Sequence, residues 1–128
     1  MPAEVKRISP MIAVKSIQAS IEFYSSQLGF SATTQDDSYA VISRDGATIH
    51  LMKATDQSVL DAVRGHTDIY IEVSDADSIW NSLSKSDITT KLKKPFDQPY
   101  GMREFHLEDP DGVLLFVGSR IVGYNSSH

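Results

Sequence analysis

The sequence predicts an α+β domain made of two tandem modules, each with a strand, a helix and three further strands (βαβββ). The first observation is a repeated hairpin, in which Asp45-Gly46 is followed four residues later by His50 and Asp111-Gly112 four residues later by Phe116. An Asp-Gly pair between apolar segments is a strong signal for a tight β-turn. The second observation is that a short apolar strand and an amphipathic helical pattern precede each hairpin. Such an internal repeat indicates two copies of one structural unit.

The size of the chain is that of one domain. It has 128 residues, of which 41% are hydrophobic, enough to bury a core without disulfides or metals. We expect a single domain over 1–128, with the first module at about 5–57 and the second at about 66–120. The remaining residues, 121–128, are expected to form a C-terminal tail.

The first module begins with a predicted strand at 11–14. An amphipathic helix is predicted next, because apolar residues follow one another at spacings of four, three and four from Ile17 to Leu28. Ser16 is a suitable N-cap for this helix and Gly29 a suitable C-cap. Segments rich in β-branched and apolar residues then predict three strands, at 30–34, 39–44 and 47–53.

The second module follows a short predicted helix at 58–64. Its first strand is predicted at 68–73, and its helix is expected to begin at Ser74 or Asp75 and to end near Ser84. Trp80, on the apolar stripe of this helix, is expected to pack between helix and sheet. Three strands are predicted at 89–93, 102–108 and 113–119.

The second copy carries a few additional residues. The separation between Val73 and Gly112 exceeds that between Val14 and Gly46, which are the matching positions of the first copy. We expect the additional residues in the polar, proline-marked stretch 93–101, which is predicted to be a loop. The basic run of Lys91, Lys93 and Lys94 before Pro95 is predicted to be a solvated edge strand or a loop.

Each predicted sheet has one apolar and one polar face. Along the strand 68–73 every second residue is apolar, and the same alternation is found in 47–53 and 102–108. Because successive side chains of a strand point to opposite faces, one face packs against the helices and the other carries polar groups. Such a polar face is either open to solvent or curled around a cavity. Its expected members are Asp68, Tyr70, Glu72, Glu104, His106, Thr48, His50 and Met52.

The composition excludes several classes of function. Without cysteine, the chain has no thiolate metal ligand, cysteine nucleophile or disulfide. Twelve basic against seventeen acidic residues give a net charge of -5, which disfavours nucleic acid and anionic membranes as partners and favours a cationic small molecule. The apolar run 11–14 is cut by Lys15 and is too short for a secretion signal or a membrane span, so we expect a cytoplasmic protein.

Several motifs then indicate a family. They are Ile-Glu-Phe-Tyr at 21–24 with Leu-Gly-Phe at 28–30, and the stretch 101–112 with Leu-Leu-Phe-Val at 114–117. Together they resemble the vicinal oxygen chelate superfamily, which includes glyoxalase I, extradiol dioxygenases, fosfomycin-resistance transferases and bleomycin-resistance proteins. The resemblance covers about 8–119 and is closest to the bleomycin-resistance branch.

The resemblance implies the glyoxalase/bleomycin-resistance fold, in which curled mixed sheets of paired βαβββ modules surround a cleft. Two chains of such proteins commonly share or exchange modules, so a homodimer is expected. In the metal enzymes of the family, the first and last strand of each module each contribute one ligand. By spacing, these positions are Ser9, His50, Asp68 and Phe116. Because phenylalanine has no lone pair and serine is a poor neutral ligand, we expect no bound metal and no cofactor.

Two further histidines are candidates for completing a metal site. His66 lies two residues before Asp68, at the start of a predicted strand, where an exposed loop histidine is the alternative. His106 lies in the middle of a strand on its polar face, where it either lines the cleft or is merely solvated.

The first functional hypothesis is a binding protein that sequesters a small, cationic antibiotic or metabolite in a metal-free cleft. Apolar side chains such as Phe116 would supply contact area, and acidic ones would attract and pair with the cation. The alternative is that the carboxylates only satisfy Arg103, Lys91 or neighbouring strands. The residues expected to bind the ligand are Ser9, His50, Met52, Asp68, Tyr70, Glu72, Glu104, His106 and Phe116.

The second hypothesis is a lyase, isomerase or dioxygenase-type enzyme of the same superfamily, with or without a divalent metal. His50 or His106, paired with Asp68 or Glu104, would move a proton next to a carbonyl, since histidine titrates near neutral pH and a carboxylate orients its ring. Other schemes lack support, because the chain has no nucleophile elbow, no glycine-rich phosphate loop and no dinucleotide fingerprint.

Overall fold

The computed structural model describes residues 2–83 and 91–123, with the backbone alone at 91 and 92. The elements of the first module are β1 (Met11–Val14), α1 (Ile17–Leu28), β2 (Ser31–Gln35), β3 (Tyr39–Arg44) and β4 (Ala47–Lys53). A connecting helix, α2 (Gln57–Val63), leads to the second module. Its elements are β5 (Asp68–Glu72), α3 (Ala76–Ser82), β6 (Lys91–Asp97), β7 (Met102–Glu108) and β8 (Leu114–Arg120).

Each module forms one mixed four-stranded sheet with the same topology. The strand orders are β1-β4-β3-β2 and β5-β8-β7-β6, so the first and last strands of each module are neighbours. Those neighbours run parallel, and the other pairs run antiparallel. The predicted α+β fold of two βαβββ modules is therefore confirmed.

Helix α1 begins and ends where its sequence predicts. The hydroxyl oxygen of Ser16 accepts a hydrogen bond from the backbone N–H of Ala19 at 3.1 Å. Gly29 ends the helix in the left-handed conformation, with φ of 71°, which glycine adopts without a side-chain clash. Between these caps, one face of α1 packs on the first sheet and buries Tyr24 and Leu28.

Helix α3 is shorter and is capped by Asp75, whose carboxylate accepts from the backbone N–H of Ser78 at 3.2 Å. Trp80 lies edge-on to Phe105 of β7, with ring centroids 5.2 Å apart. This is the predicted position between helix and sheet. The predicted end near Ser84 lies outside the described residues, as do the first part of the predicted strand 89–93 and residues 124–128 of the tail.

Hydrogen bonds from α1 to the second hairpin join the two modules. The fully buried phenol of Tyr24 donates to Asp109 Oδ2 at 2.8 Å. Asp111 accepts from the backbone N–H of Lys15 at 3.0 Å and from the hydroxyl of Ser20 at 3.5 Å. The apolar core is continuous across both modules.

The predicted loop at 93–101 is wrong over 93–97, which belong to the edge strand β6 (Lys91–Asp97). Of the two possibilities for the basic run before Pro95, the structure shows the edge strand. Register shifts on both sides of Lys93 interrupt the β6–β7 ladder. Proline cannot donate a ladder hydrogen bond, but an irregular edge strand does not require one at every residue, so Pro95 is accommodated. Only 98–101 remain as the turn into β7.

The other predicted boundaries agree with the observed ones or differ from them by one or two residues. The strands predicted at 30–34 and 113–119 begin one residue later, because the ladder does not include the first residue after each turn. Phe30 is nonetheless buried in the core. In 2–83 and 91–123, no helix is long and apolar enough to cross a membrane.

Candidate functional site

The face of each sheet that points away from the helices is called its open face. On the open face of the second sheet, Tyr70, Phe116 and His106 are neighbours across β5, β8 and β7. Glu72, Gly118 and Glu104 form the next row along the same strands. The predicted alternation thus brings residues that are distant in the sequence side by side.

Glu104 is the centre of this face. Its side chain is 0% exposed and accepts hydrogen bonds from four side chains. The phenols of Tyr70 and Tyr100 donate to Oε2 at 2.8 and 2.7 Å. The amide of Gln98 donates to Oε1 at 3.0 Å, and Nε2 of His106 lies 3.2 Å from the same oxygen. The four lone-pair sites of the carboxylate are therefore all occupied. We call these five side chains the Glu104 cluster.

The hydrogen bonds keep Glu104 ionised. Burial by itself would raise the pKa of this carboxyl, since it disfavours the charged form. The hydrogen bonds from Tyr100, Gln98, Tyr70 and His106 outweigh burial and lower the pKa below its ordinary value. The open face of the second sheet therefore holds a fixed negative charge below its surface.

The two phenols in turn are held in the neutral form. Burial, together with the hydrogen bond to Glu104 and its charge, raises the pKa of Tyr100 to about 12. The same causes raise the pKa of Tyr70 still further. Both rings remain accessible, because Tyr70 is 46% exposed and Tyr100 is 57% exposed.

His106 is held between aromatic rings. The centroid of its imidazole is 4.3 Å from that of Phe116 and 5.5 Å from that of Phe96. With Nε2 directed at Glu104, the neutral ring carries its proton there and leaves Nδ1 as an acceptor. Of the two predicted carboxylate partners for a histidine, the structure thus pairs Glu104 with His106.

The first sheet carries a smaller set of polar side chains on its open face. His50 Nδ1 is hydrogen-bonded to the hydroxyl of Tyr39, the rings being edge-on with centroids 5.7 Å apart. Ser9 and Thr48 are hydrogen-bonded through their hydroxyls. Met52 lies opposite Tyr39 in the ladder. Ser9, His50 and Met52 are thus gathered on one sheet, and the hydrogen bonds described for Ser9 and His50 stay within that sheet.

The four positions implied as metal ligands have different surroundings in the structure. Asp68 is exposed at the start of β5, and Phe116, which has no lone pair, packs against His106. Ser9 and His50 bond to their own sheet. Across the described part of the chain, no three His, Cys, Asp or Glu side chains are grouped so that they could hold a metal ion. His66 is exposed, at the end of α2.

The acidic side chains differ in their partners. Arg103 pairs with Asp77 at 2.7 Å and with Asp97 at 3.0 Å, and so does not neutralise Glu104. The partners of Glu104 include Tyr70 and His106 of the same sheet, as the alternative of neighbouring strands expects. Glu72 does pair with an arginine, Arg120, at 3.2 Å on the surface. Glu72 is therefore less available to a ligand than its place on the open face suggests.

Two adjoining pockets lie between the modules. One, of about 460 Å³, contains Tyr70 and Glu72 together with Lys6 and Arg7 of the N-terminal segment. The other, of about 370 Å³, shares Glu72 with it and is mainly apolar. Tyr70 connects the larger pocket to the Glu104 cluster.

Three site residues are not expected from the sequence: Tyr100, Gln98 and Tyr39. Tyr100 and Gln98 lie in the turn before β7, and nothing local indicates that they reach back to Glu104. Gly118 is the one sequence feature that could have indicated the position of Tyr70. A glycine inside an apolar strand often marks the close approach of another group, and here Tyr70 crosses it.

Two joined βαβββ modules with a polar open face on each sheet define a known class of α+β proteins. The chain belongs to the Glyoxalase/Bleomycin resistance protein/Dioxygenase superfamily, whose family model matches residues 6–117. The resemblance to the vicinal oxygen chelate superfamily is thereby confirmed.

Relatives within this family are bleomycin resistance proteins. Those of Geobacillus stearothermophilus and Staphylococcus aureus are each 29% identical to this chain over 122 residues, covering 83% of it and 90% of their own length. The bleomycin-binding protein of Streptomyces verticillus in complex with copper(II)-bleomycin has a similar fold, with a TM-score of 0.72 and 22% identity over 91% of this chain and 97% of that one. The bleomycin resistance determinant of transposon Tn5 has a TM-score of 0.74 and 18% identity over 91% and 98%.

Proposed function

We propose that this protein binds a small organic cation, such as a bleomycin-type antibiotic or a cationic metabolite, in a cleft lined by the open face of the second sheet. The observation that carries the proposal is the ionised, fully buried Glu104 beneath the exposed rings of Tyr70 and Tyr100. The relatives named as bleomycin resistance proteins support it. Sequestration alone would protect a cell, with no chemistry on the ligand.

Charge favours this class of ligand. The chain has a net charge of -5, and Asp68 and Glu72 lie exposed on the same face as Glu104. Acidic groups around a cleft attract cations and accelerate their binding. The proposal assigns contacts to Ser9, His50 and Met52 as well, provided that the first sheet of the same or a partner chain closes the cleft.

The proposal requires no metal. Among the positions that the family resemblance would assign to ligands, Phe116 has no electron pair to donate, and its ring is engaged with His106. We therefore propose a recognition pocket at the place where a metal enzyme would have its coordination sphere, without a cofactor.

Thermal unfolding with added ligands tests the proposal. Bleomycin should raise the melting temperature, since a ligand that binds only the folded state stabilises it, by about 2.7 kcal/mol at a concentration of one hundred times Kd. Zinc, nickel, manganese and iron(II) should produce no comparable shift. Calorimetric titration then gives Kd for the wild type and for His50→Ala, with the exposed His66→Ala as the matched control. Stabilisation by a metal with stoichiometric binding, and none by bleomycin, would contradict the proposal.

A second candidate function is proton transfer by His106. The distance of 3.2 Å between its Nε2 and Glu104 is the geometry in which a carboxylate orients the ring of a histidine. A lyase or isomerase acting next to a carbonyl would use this pair, with His50 on the other sheet. Turnover of a carbonyl substrate that is lost in His106→Gln but kept in His66→Ala would favour this candidate.

We also propose that the protein acts in the cytoplasm as a homodimer without nucleic acid or membrane partners. The exposed apolar side chains Val5, Ile8 and Met11 near the first sheet support an assembly between chains. Light scattering after size exclusion measures the mass directly. Expression in a bleomycin-sensitive host, compared with His50→Ala, tests whether binding confers resistance.

A further inference from the structure

We infer that the open face of the second sheet recognises its cation through the faces of aromatic rings rather than through an ion pair with Glu104. It therefore prefers alkylated or delocalised cations to compact ammonium ions. This inference rests on the proposed function and names the chemical class of ligand that the site selects. Tyr70 and Tyr100 are the rings that it assigns to the ligand.

The carboxylate of Glu104 cannot contact a ligand directly. Its side chain is 0% exposed. Each of its oxygens already has two partners, so no lone pair remains for an incoming N–H group. A direct ion pair of the kind the sequence predicts would require the cluster to be dismantled, leaving buried donors unsatisfied. Its charge must therefore act through the residues above it.

The phenols of Tyr70 and Tyr100 present their rings and not their hydroxyls. Both hydroxyl groups converge on Oε2 of Glu104 and are used there as donors. The ring of Tyr70 reaches this position by lying across Gly118, where a β-carbon would approach the hydroxyl oxygen to 2.1 Å. With both hydroxyl groups engaged, the rings of these two exposed residues are the part that remains for a ligand.

The electrostatic potential over the rings of Tyr70 and Tyr100 attracts a positive charge. The face of an aromatic ring is negative, and it attracts cations placed over it. A phenol that donates to a carboxylate gains electron density, and the buried charge of Glu104 adds its own attraction at short range. The rings and the carboxylate therefore favour the same ligand charge.

A cation already occupies a ring of this face. Lys93 Nζ lies 4.1 Å from the centroid of Phe96. Phe96 is edge-on to His106, which belongs to the Glu104 cluster. Lys93 is exposed and extends from the edge strand β6, so a ring beside the Glu104 cluster already attracts a positive charge.

Selectivity follows from hydration. A compact ammonium ion loses strong hydrogen bonds with water on entering such a site, and a saturated Glu104 returns none of them. Alkylated and delocalised cations are more weakly hydrated and lose less, while they keep their attraction to the rings.

The test compares choline with its neutral isostere, 3,3-dimethyl-1-butanol, and with methylammonium. Chemical-shift titration of the wild-type protein measures all three affinities. We expect choline to bind roughly tenfold more tightly than either compound, as cation–π attraction at a partly desolvated site implies. Equal affinities for choline and the alcohol, tighter binding of methylammonium, or no detectable binding of choline would each overturn the inference.

Two substitutions of Tyr100 distinguish the contribution of its ring to choline binding from that of its hydroxyl. Tyr100→Phe keeps the ring and should weaken choline binding at most a few-fold, whereas Tyr100→Leu should remove most of the preference over the alcohol. Tyr100 lies exposed in a turn, so both variants should fold. Equal effects of the two variants would contradict the role of the ring. If the protein binds bleomycin but does not prefer choline to the alcohol and to methylammonium, this inference alone is overturned. If it binds neither bleomycin nor choline, the proposed function is overturned as well.

Discussion

The hydroxyl of Tyr70 lies over Gly118 of the neighbouring strand, where a β-carbon would stand 2.1 Å from its oxygen and 2.9 Å from the ring carbon that bears it. Glycine is therefore required at this position for the phenol to reach Glu104 at 2.8 Å. A single missing side chain on β8 thus decides where an aromatic ring on β5 lies.

Replacing Gly118 with alanine should displace the ring of Tyr70. We expect a loss of about 1–3 kcal/mol in the free energy of unfolding, the usual effect of overpacking a buried site. Chemical denaturation measures this loss, and the affinity for the organic cation should fall in the same variant.

The matched control places the same alanine in a Tyr70→Ala background. Without the ring, the additional methyl group has no phenol to clash with. Gly118→Ala should therefore lower the free energy of unfolding much less in this background than in the wild type. Additive effects of the two substitutions would show that Gly118 is needed for another reason.

Replacing Tyr24 with phenylalanine should weaken the junction between the modules. Burial, together with the charge of Asp109, raises the pKa of Tyr24 well above its ordinary value, so its phenol is a permanent donor. Its loss leaves Asp109 Oδ2 without that partner, and we expect unfolding to become easier by about 1–3 kcal/mol. Denaturation monitored separately in the two modules, by hydrogen exchange, should show both affected. An effect confined to α1 would contradict the role of this bond between modules.

Replacing Glu104 with glutamine should change how stability depends on pH. Because hydrogen bonds lower the pKa of Glu104 in the folded state, its carboxylate stabilises the fold above the unfolded pKa of about 4.3. That contribution is lost as pH falls through the folded pKa. The stability difference between wild type and variant should therefore be largest near pH 7 and shrink below pH ~4.

Denaturation curves collected from pH 3 to pH 7 measure this difference. Glu22→Gln replaces an exposed carboxylate on α1 and reports the effect of removing one charge from the surface. A difference for Glu104→Gln that stays constant over this range would contradict the ionised state of the cluster.

Replacing Ser16 with alanine should destabilise α1 by about 1 kcal/mol, since its hydroxyl satisfies the backbone N–H of Ala19. Ser26→Ala, at an exposed position of the same helix, should change stability by less than about 0.5 kcal/mol. Thermal unfolding of both variants checks the cap. Equal losses in the two would indicate that the effect of Ser16 is not that of an N-cap.

Much of the fold follows from local pattern. Strands β3, β4 and β7 have the bounds that alternation predicts, and Ser16 and Gly29 delimit α1 as their capping preferences indicate. These features depend on residues a few positions apart, which is the range over which periodicity and capping operate. The stretch 93–101 was predicted wrongly because Pro95 and the charged residues around it resemble a loop, and only pairing with β7 makes most of it a strand.

Less of the candidate site could be predicted from local sequence patterns. Alternation correctly places Glu104 and His106 on one face, but not the partners of Glu104, because Tyr70 is 34 residues away in the sequence and Gln98 lies in a turn. The bond between Tyr24 and Asp109 spans 85 residues and had no sequence signal of its own.

The amino-acid sequence by itself determined the duplicated module, the apolar stripes that build the core, and the phenylalanine at position 116 that cannot donate an electron pair. Only the tertiary structure decided that Glu104 is saturated with donors and covered by aromatic rings. The hydrogen-bonding capacity of a side chain is a property of its residue type. Whether that capacity is already used depends on which distant segments the fold brings within 3 Å of it.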